Sequence, residues 1–411
     1  MGLSSRRLVL DVATPAAIGA VAGACVAALM AGVEGKALDA LGRLPGGWPA
    51  LACLAALPLA VLAAKYVTRT LRPSTSELFI SRYHADGKIP IEQLPGRILA
   101  AIATVGLGGS QGFESACAMI GSSLSEALSR LRKLGITAEE HRTLVVAGAS
   151  AGIAAVFSSP GVGTMYGLEV PFRRDVDATR LIPAAVAAST SYAVHSLLDG
   201  SRTLVNVTGL AVVDPWFVVG ALAVALLCGI GARLFAAACE ALRALARRAT
   251  IWVHVAAASV LLAALAWTGH ELSGSWITFG PGYIAASWVQ ASERAVPLLA
   301  ILFLVRAAGT LVCVYGGGGG GVFTSLACQG LFLGEIVDRA LGLETGHCLA
   351  LLGAGCFLGA GYRIPLAGVL LVVEQSGDLG LTATAFVATA IAQFLMGDAS
   401  VSDAQRDHRG V

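Results

Sequence analysis

Two glycine-rich segments contain the residues of this chain that are best suited to bind a ligand. GLGGSQGFES covers residues 106–115, and GGGGGG covers residues 316–321, directly before VFTSLACQGLFLG. Because glycine has no Cβ, backbone N–H groups in such segments can approach a ligand closely. If each segment opens a helix inside the protein, its unpaired N–H groups and about half a positive charge face inward. Two such helix ends that face each other form an anion site.

The same glycines allow other interpretations. Glycine lets two helices cross at short distance, and this alternative stays open at the level of the sequence. A nucleotide-binding loop is disfavoured, because no Lys and Ser/Thr pair follows either segment. An anion site made of backbone dipoles has the further advantage that the ion can leave again, whereas a fixed Lys or Arg would hold it tightly.

Glu114 stands at the end of the first segment and is the only charged residue between Arg97 and Glu126. A carboxylate at membrane depth is costly and is usually functional. Beside an anion path, the ionised form competes for the anion's own position, whereas the protonated form leaves that position open. The alternative is structural, in which Glu114 caps the helix that follows it.

The elements that must position these residues are membrane-spanning helices. Of 411 residues, 56% are hydrophobic and 13% are charged, whereas soluble domains carry about 25% charged residues. Because the apolar segments show no period-two alternation, we predict an all-α integral membrane protein and not a β-barrel. Six stretches without Asp, Glu, Lys or Arg are long enough to cross a bilayer: residues 14–33, 44–64, 215–232, 250–269, 307–334 and 379–397.

The second half of the chain repeats parts of the first. SPGVGTMYGLE at residues 159–169 and IPLAGVLLVVE at residues 364–374 share the spacing of Pro, Gly and Glu, at an offset of 205. A second match, at an offset of 209, joins Gly112 and Gly121 to Gly321 and Gly330. Short matches can arise by chance in a chain rich in Gly, Ala, Pro and Leu. Two nearly equal offsets favour two related halves.

We therefore predict one transmembrane transport domain over residues 1–411, with a first half at about 14–200 and a second at about 214–400. No extramembrane regulatory domain is expected. Two related halves in a membrane protein are typical of transporters and channels, in which the topology is often inverted and the site lies between the halves. The matched acids Glu169 and Glu374 end apolar segments, and we expect each to bond to a neighbouring helix.

Composition argues against several other classes of protein. The net charge is +2 and no basic tract is interleaved with aromatic residues, so no nucleic-acid partner is expected. The seven His and nine Cys residues show no ligand spacing, and we predict neither a metal nor a cofactor. No Ser/His/Asp set indicates an enzyme. Arg97, Arg306 and Arg363 can either attract anions to an entrance or pair locally.

At these residues the sequence resembles the CLC family of chloride channels and proton-coupled chloride antiporters, from about residue 17 to residue 405. Gly112 and Glu114 match the first and third positions of the family motif GREGP. Gly321 and Phe323 match the first and third positions of GxFxP. Four further segments are similar: AGIAAVFSSPGVG, ILFLVRAAGTLVC, YRIPLAGVLLVVEQSGD and AQFLMG.

The resemblance implies a homodimer with one anion pathway per subunit, built from broken, tilted helices in two inverted halves. By position, Glu114 is the gating glutamate that competes with the anion and carries a proton. The backbone amides of Val322 and Phe323 are expected to bind the central anion. We add the neighbouring amides of Gly321, Gly112 and Phe113 to the expected site.

Three departures from the family pattern bear on mechanism. The motif GSGIP is reduced to something like residues 72–76, where only Ser74, Thr75 or Ser76 can replace its coordinating serine. The tyrosine that closes the inner side of the pathway falls at about Val401. The inner proton-transfer glutamate falls at about Val170.

These observations predict CLC-type transport of chloride or a similar small monovalent anion by a multi-pass protein of a bacterial inner membrane. The valine at position 170 slightly favours a gated channel over proton-coupled exchange. The alternative is a secondary transporter of a cation or neutral solute, with Glu114, Glu169 and Glu374 as coupling acids.

Overall fold

The computed structural model describes residues 3–71, 75–85, 87–131, 136–208, 214–248, 250–291 and 293–407. Every regular element in these ranges is a helix, and the only β-type pairings there are two isolated bridges, Gly112 with Gly321 and Phe172 with Arg406. The predicted all-α fold is therefore confirmed.

Eighteen α-helices lie in the described residues. Those before residue 200 are α1 Leu3–Leu8, α2 Thr14–Met30, α3 Leu38–Gly42, α4 Trp48–Leu62, α5 Thr75–His84, α6 Leu94–Gly106, α7 Glu114–Leu131, α8 Ala138–Phe157, α9 Pro160–Glu169 and α10 Leu181–Asp199. Those after residue 200 are α11 Pro215–Arg248, α12 Ile251–Ser273, α13 Tyr283–Gln290, α14 Val296–Tyr315, α15 Phe323–Leu341, α16 Cys348–Tyr362, α17 Pro365–Ser376 and α18 Thr382–Met396. Wider, π-helical turns Val9–Ala13 and Ala31–Ala37 join α1, α2 and α3 into one continuous helix, and a third, Ala63–Thr68, extends α4.

Seven helical stretches in the described part of the chain are long and apolar enough to span a membrane. They are Arg6–Gly42, Trp48–Thr68, Ala178–Asp199, Pro215–Arg248, Ile251–Ser273, Val296–Tyr315 and Leu379–Met396. The multi-pass prediction is confirmed, but one predicted span, residues 307–334, is wrong as a single crossing. The chain leaves α14 at Tyr315 and restarts as α15 at Phe323, because the intervening glycines turn and bond to the first half instead of continuing a helix.

The two halves are related as an inverted repeat, and α9 and α17 show this most directly. The Glu374 carboxylate, from the last turn of α17, accepts hydrogen bonds from the N–H groups of Gly161 (2.8 Å) and Val162 (3.4 Å) at the start of α9. In return, the Glu169 carboxylate at the end of α9 accepts from Ala367 at the start of α17 (2.9 Å). Each glutamate thus bonds to the neighbouring helix, as expected, and the two helices run in opposite directions.

Glycines allow the same close helix crossing in both halves. α7 crosses α8 where Gly121 meets Gly148, and α15 crosses α16 where Gly330 meets Gly353. In either case a Cβ added to the first glycine would lie 1.9 Å from the carbonyl oxygen of the second. Any larger residue would separate these helices. Glycine thus allows close helix crossing at these four positions, which lie inside helices and outside the two glycine-rich segments.

Candidate anion site

The two glycine-rich segments meet in the interior and bring two helix N-termini together. The N–H of Gly112 donates to the carbonyl oxygen of Gly321 (2.9 Å), and the N–H of Gly321 donates to that of Gly112 (2.7 Å). α7 begins two residues after the first glycine, and α15 begins two residues after the second. Because the first N–H groups of a helix lack intrahelical partners, both helices direct donors and partial positive charge to this junction.

Glu114 lies at this junction and is only 2% exposed. Its Oε1 accepts a hydrogen bond from the backbone N–H of Thr324 (2.8 Å), in the first turn of the opposing helix α15. The carboxylate thus takes up one of the N–H groups that the first turn of α15 leaves without an intrahelical partner. This bond crosses between the halves, which the capping of its own helix would not require.

Polar atoms without hydrogen-bond partners collect around the same point. Within the described residues, Glu114 Oε2 and Ser115 Oγ are buried without a hydrogen-bond partner, and the hydroxyl of Thr324 lies beside the Glu114 carboxylate. A Cβ at Gly321 would lie 2.5 Å from that glutamate oxygen and 2.7 Å from Ser115 Oγ. The absence of a side chain at position 321 therefore leaves the room that the carboxylate occupies.

The remaining predicted site residues line the junction. They form two short runs, 112–113 and 321–323, each of which begins at one of the bridged glycines. All five residues are buried. The Phe323 ring is held edge-on by its neighbours, with ring centroids 5.0 Å from Phe157 and 5.3 Å from Tyr166. Such packing fixes the first turn of α15 and the direction of its amides.

The serine and threonine residues expected as ligands lie at the edge of a described range. Ser74 lies outside the described residues, and only the backbone of Thr75 and Ser76 is described, at the start of α5. Ser325, which stands where the family has a proline, is buried and donates through Oγ to the carbonyl oxygen of Ser110 (3.3 Å). It therefore ties the two glycine-rich segments together.

Two cavities flank the junction. The larger, about 810 Å³, is lined by the glycine loop and by polar side chains that include Glu77, Arg97, Gln111 and Arg243. Gln111 accepts from the N–H of Gly320 (3.2 Å), which holds the loop at the cavity wall. Val322 also faces this cavity, so one predicted anion-binding residue is reached from it.

The smaller cavity, about 490 Å³, is lined by a different set that includes Glu34, Arg202, Phe279 and Tyr283. Its residue Glu34 lies near the end of the span Arg6–Gly42, from which the chain returns through Trp48–Thr68. The larger cavity is lined by residues at the far end of that returning span, Val61 and Ala64. The two cavities therefore lie at opposite ends of the spans.

The three arginines noted in the sequence have different roles. Arg306 is fully buried and donates to the carbonyl oxygens of Ile277 (3.0 Å) and Gly280 (2.6 Å). Arg363 donates to the carbonyl oxygen of Arg173 (2.9 Å). Arg363 lines a separate cavity beside α17 and α18, and only Arg97 of the three lines the cavity that contains the glycine loop. Local pairing thus accounts for the first two arginines, and electrostatic attraction of anions is open to the third.

Val401 and Val170 stand at the positions where the family has the inner tyrosine and the inner glutamate. Both are buried, Val401 within the last described segment of the chain and Val170 in contact with it. Val401 is fully buried, and its carbonyl oxygen accepts from Arg243 (2.8 Å). Val170 is also buried, and its carbonyl oxygen accepts from the Gln405 side chain (3.0 Å). Residues 400–406 therefore form a strap packed against the C-terminal end of α9.

Sequence reasoning missed Glu34, Glu77, Gln111, Arg202 and Arg243 as cavity-lining residues. A signal was present for Glu34, which is the first charge after the apolar stretch 14–33. The others lie in loops and helix ends. Gln111 lies inside the glycine-rich segment 106–115, which was itself a signal, whereas nothing in the local sequence of Glu77, Arg202 and Arg243 distinguishes them from solvated surface residues.

A broken-helix membrane fold in two inverted halves, with amides and a carboxylate at its centre, defines a CLC-type anion transport protein. A sequence model described as "Voltage gated chloride channel" matches residues 55–397. The chain therefore belongs to the voltage-gated chloride channel (CLC) family, and the resemblance read from its motifs is confirmed.

Relatives and solved structures agree with this assignment. The chain is 26% identical over 338 residues to a chloride/fluoride channel protein of Pseudomonas syringae pv. tomato, covering 80% of this chain and 73% of the relative. It is 26% identical to an H(+)/Cl(-) exchange transporter of Yersinia pestis bv. Antiqua, covering 74% of this chain and 66% of that relative. The match thus spans only about two thirds of the length of the exchange transporter.

Two solved structures share the fold at low sequence identity. A CLC-type fluoride/proton antiporter superposes with a TM-score of 0.83 at 21% identity, covering 99% of this chain and 100% of the other. A slow cyanobacterial Cl-/H+ antiporter gives 0.83 at 18% identity, covering 95% and 96%. These likenesses concern the fold alone.

Proposed function

We propose that this protein carries chloride or a similar small monovalent anion through the junction of α7 and α15, with Glu114 as the gating acid. The observation that carries the proposal is the hydrogen bond from the Thr324 amide to Glu114 (2.8 Å). A carboxylate that uses an amide of the opposing helix N-terminus competes with any anion that needs the same donor. Protonation removes its charge and lets the anion take its place.

Within this function, we propose exchange with protons as the mode of transport. The supporting observation is that a carboxylate lines each cavity, Glu77 in the larger and Glu34 in the smaller, and that Glu34 interacts electrostatically with Glu114. The sequence slightly favoured a channel because position 170 is a valine, and that mode is the second candidate. It is favoured by Glu169, which is engaged in capping α17 and is not placed as an inner proton donor.

The coupling-acid alternative receives less support from the geometry. Glu169 and Glu374 each accept hydrogen bonds at a helix N-terminus, where ionised carboxylates stabilise the fold. Neither lines either of the two cavities beside the junction. A cation transporter built on these acids predicts cation-dependent uptake without an anion flux.

The test is chloride efflux from liposomes, measured together with external pH. Net proton movement against the anion gradient supports exchange, and its absence supports a channel. In Glu114→Gln, we expect proton movement to stop and anion efflux to lose its pH dependence, because the side chain can no longer ionise. Glu126→Gln, on the same helix but away from the junction, is the matched control. A wild-type pH profile in Glu114→Gln would refute the proposed gate.

We also propose that the protein acts as a homodimer in a bacterial inner membrane, each subunit having its own anion pathway. The family resemblance and the bacterial relatives support this assembly and location. Molar mass in detergent by light scattering tests the assembly, and a monomeric mass would contradict it.

A further inference from the structure

Glu34 is a buried acid that takes no part in the proposed anion binding at the α7–α15 junction. Its side chain is 7% exposed, and its Oε1 is buried without a hydrogen-bond partner in the described part of the chain. It belongs to the π-helical turn Ala31–Ala37. Such turns interrupt regular helices and occur often at functional sites. An unpaired carboxylate oxygen at the wall of a cavity is poised to take a proton.

Both positively and negatively charged groups surround Glu34. Arg202 Nη1 lies 4.0 Å from its Oε2, and the same arginine binds Asp199 (2.8 Å). Glu34 also interacts electrostatically with Glu114. Tyr283, which lines the cavity, lies within electrostatic reach of both glutamates. The acid therefore stands between the smaller cavity and the proposed gate.

We propose that Glu34 loads protons onto Glu114 from the smaller cavity. A proton from cavity water binds the Glu34 carboxylate and then passes to Glu114, and Glu34 returns to its ionised form beside Arg202. No other reactant is needed. Two carboxylates that interact electrostatically are disfavoured when both are ionised, so the presence of one negative charge favours the protonated form of the other. This inference rests on the proposed gating role of Glu114.

Glu34 and Arg202 carry opposite charges, so removing them should shift the pH profile of transport in opposite directions. In Glu34→Gln, the repelling charge and the proton-accepting group are both lost. We expect half-maximal transport to need about tenfold more protons on that side of the membrane. In Arg202→Gln, an attracting charge is lost, and the pH profile moves the opposite way. The readout is anion efflux from liposomes as a function of pH on the side of the smaller cavity.

Asp39→Asn is the matched control, because Asp39 lines the same cavity but is half exposed and pairs with Arg43 (2.7 Å). Its profile should match that of the wild type. If Glu34→Gln does not fold, Arg202→Gln alone still reports the shift, and Glu34→Asp, which keeps the carboxylate, should keep a profile close to that of the wild type. Profiles unchanged in Glu34→Gln and Arg202→Gln would overturn the inference while the Glu114→Gln result stands. An unchanged Glu114→Gln profile would instead reject the gate itself.

Discussion

At the scale of single residues, the proposed gate depends on what is missing as much as on what is present. Glu114 can reach the Thr324 amide because position 321 has no side chain, and the space beside it is filled by the carboxylate. Amides and partial charges stabilise an ionised carboxylate there, whereas an unpaired charge inside a membrane would be very costly.

The first prediction concerns this space. Gly321→Ala would place a methyl group 2.5 Å from Glu114 Oε2, so the glutamate or the glycine loop must move. We expect the initial rate of anion efflux to fall at least about tenfold, since a displacement of about an ångström disrupts a preorganised site. Gly32→Ala is the control, because no atom lies within 4 Å of its added Cβ. Equal rates in both variants would show that the space beside Glu114 is not required.

At the scale of helices, reciprocal capping joins the halves. Glu169 and Glu374 each satisfy N–H groups that α17 and α9 leave unpaired at their first turns. Replacing either glutamate with glutamine should weaken the contact between the halves. It should leave the transport of ions unchanged.

The second prediction separates this structural role from that of a coupling acid. Glu374→Gln should lower the free energy of unfolding in detergent by about 1 kcal/mol, because a charged acceptor at a helix N-terminus becomes a neutral one. The coupling of proton to anion movement should be retained. Exposed Glu240, on α11, provides the control as Glu240→Gln. Normal stability with lost coupling would support the coupling-acid alternative.

The strap at residues 400–406 is attached to α5 through Glu77. The Glu77 carboxylate accepts from the Ser402 hydroxyl (2.8 Å) and from the Ala404 N–H (3.0 Å). Burial and the neighbouring Asp403 raise the pKa of Glu77 to about 7, against the lowering effects of Arg243 and the Ser402 hydroxyl. The folded state therefore favours the protonated acid.

The third prediction follows from that shift. Because the pKa of Glu77 is higher in the folded than in the unfolded chain, its contribution to stability is complete below about pH 4.5 and is lost as the pH rises through about 7. We expect the melting temperature in detergent to fall between pH 5 and pH 8. Glu77→Gln should fall less over this interval, since an amide does not ionise. Parallel curves for both proteins would contradict the assignment.

At the scale of the whole molecule, the two cavities approach the junction from opposite ends of the spans. The larger carries Arg97, Arg243 and Arg247, and the smaller carries Arg202. The larger cavity has three arginines against Glu77 and Asp403, whereas the smaller has Arg202 against Glu34 and Asp39. Positive charge at the larger cavity raises the local concentration of anions without placing a strong fixed cation at the junction.

The fourth prediction tests this arrangement. Of the nine cysteines, all are free and only Cys25 is exposed, so Cys25→Ser gives a background with little labelling. In that background, Ser201→Cys at the smaller cavity and Arg247→Cys at the larger should react with a membrane-impermeant maleimide from opposite sides of oriented vesicles. The background protein without an added cysteine is the control. Labelling of both positions from one side would exclude a pathway between the cavities.

The sequence by itself determined that the chain is helical and membrane-embedded, since apolar length and the absence of charge require backbone satisfaction within helices. Its motifs also placed Glu114 opposite the start of α15. The broken span at residues 307–334 was missed, because hydropathy records the lack of charge and not the turn that the glycines make. Only the tertiary structure decided that Thr324 bonds Glu114, that Glu374 caps α9, and that Glu34 faces a cavity. These contacts join residues far apart in the chain, and they depend on how two inverted halves pack, which local composition does not encode.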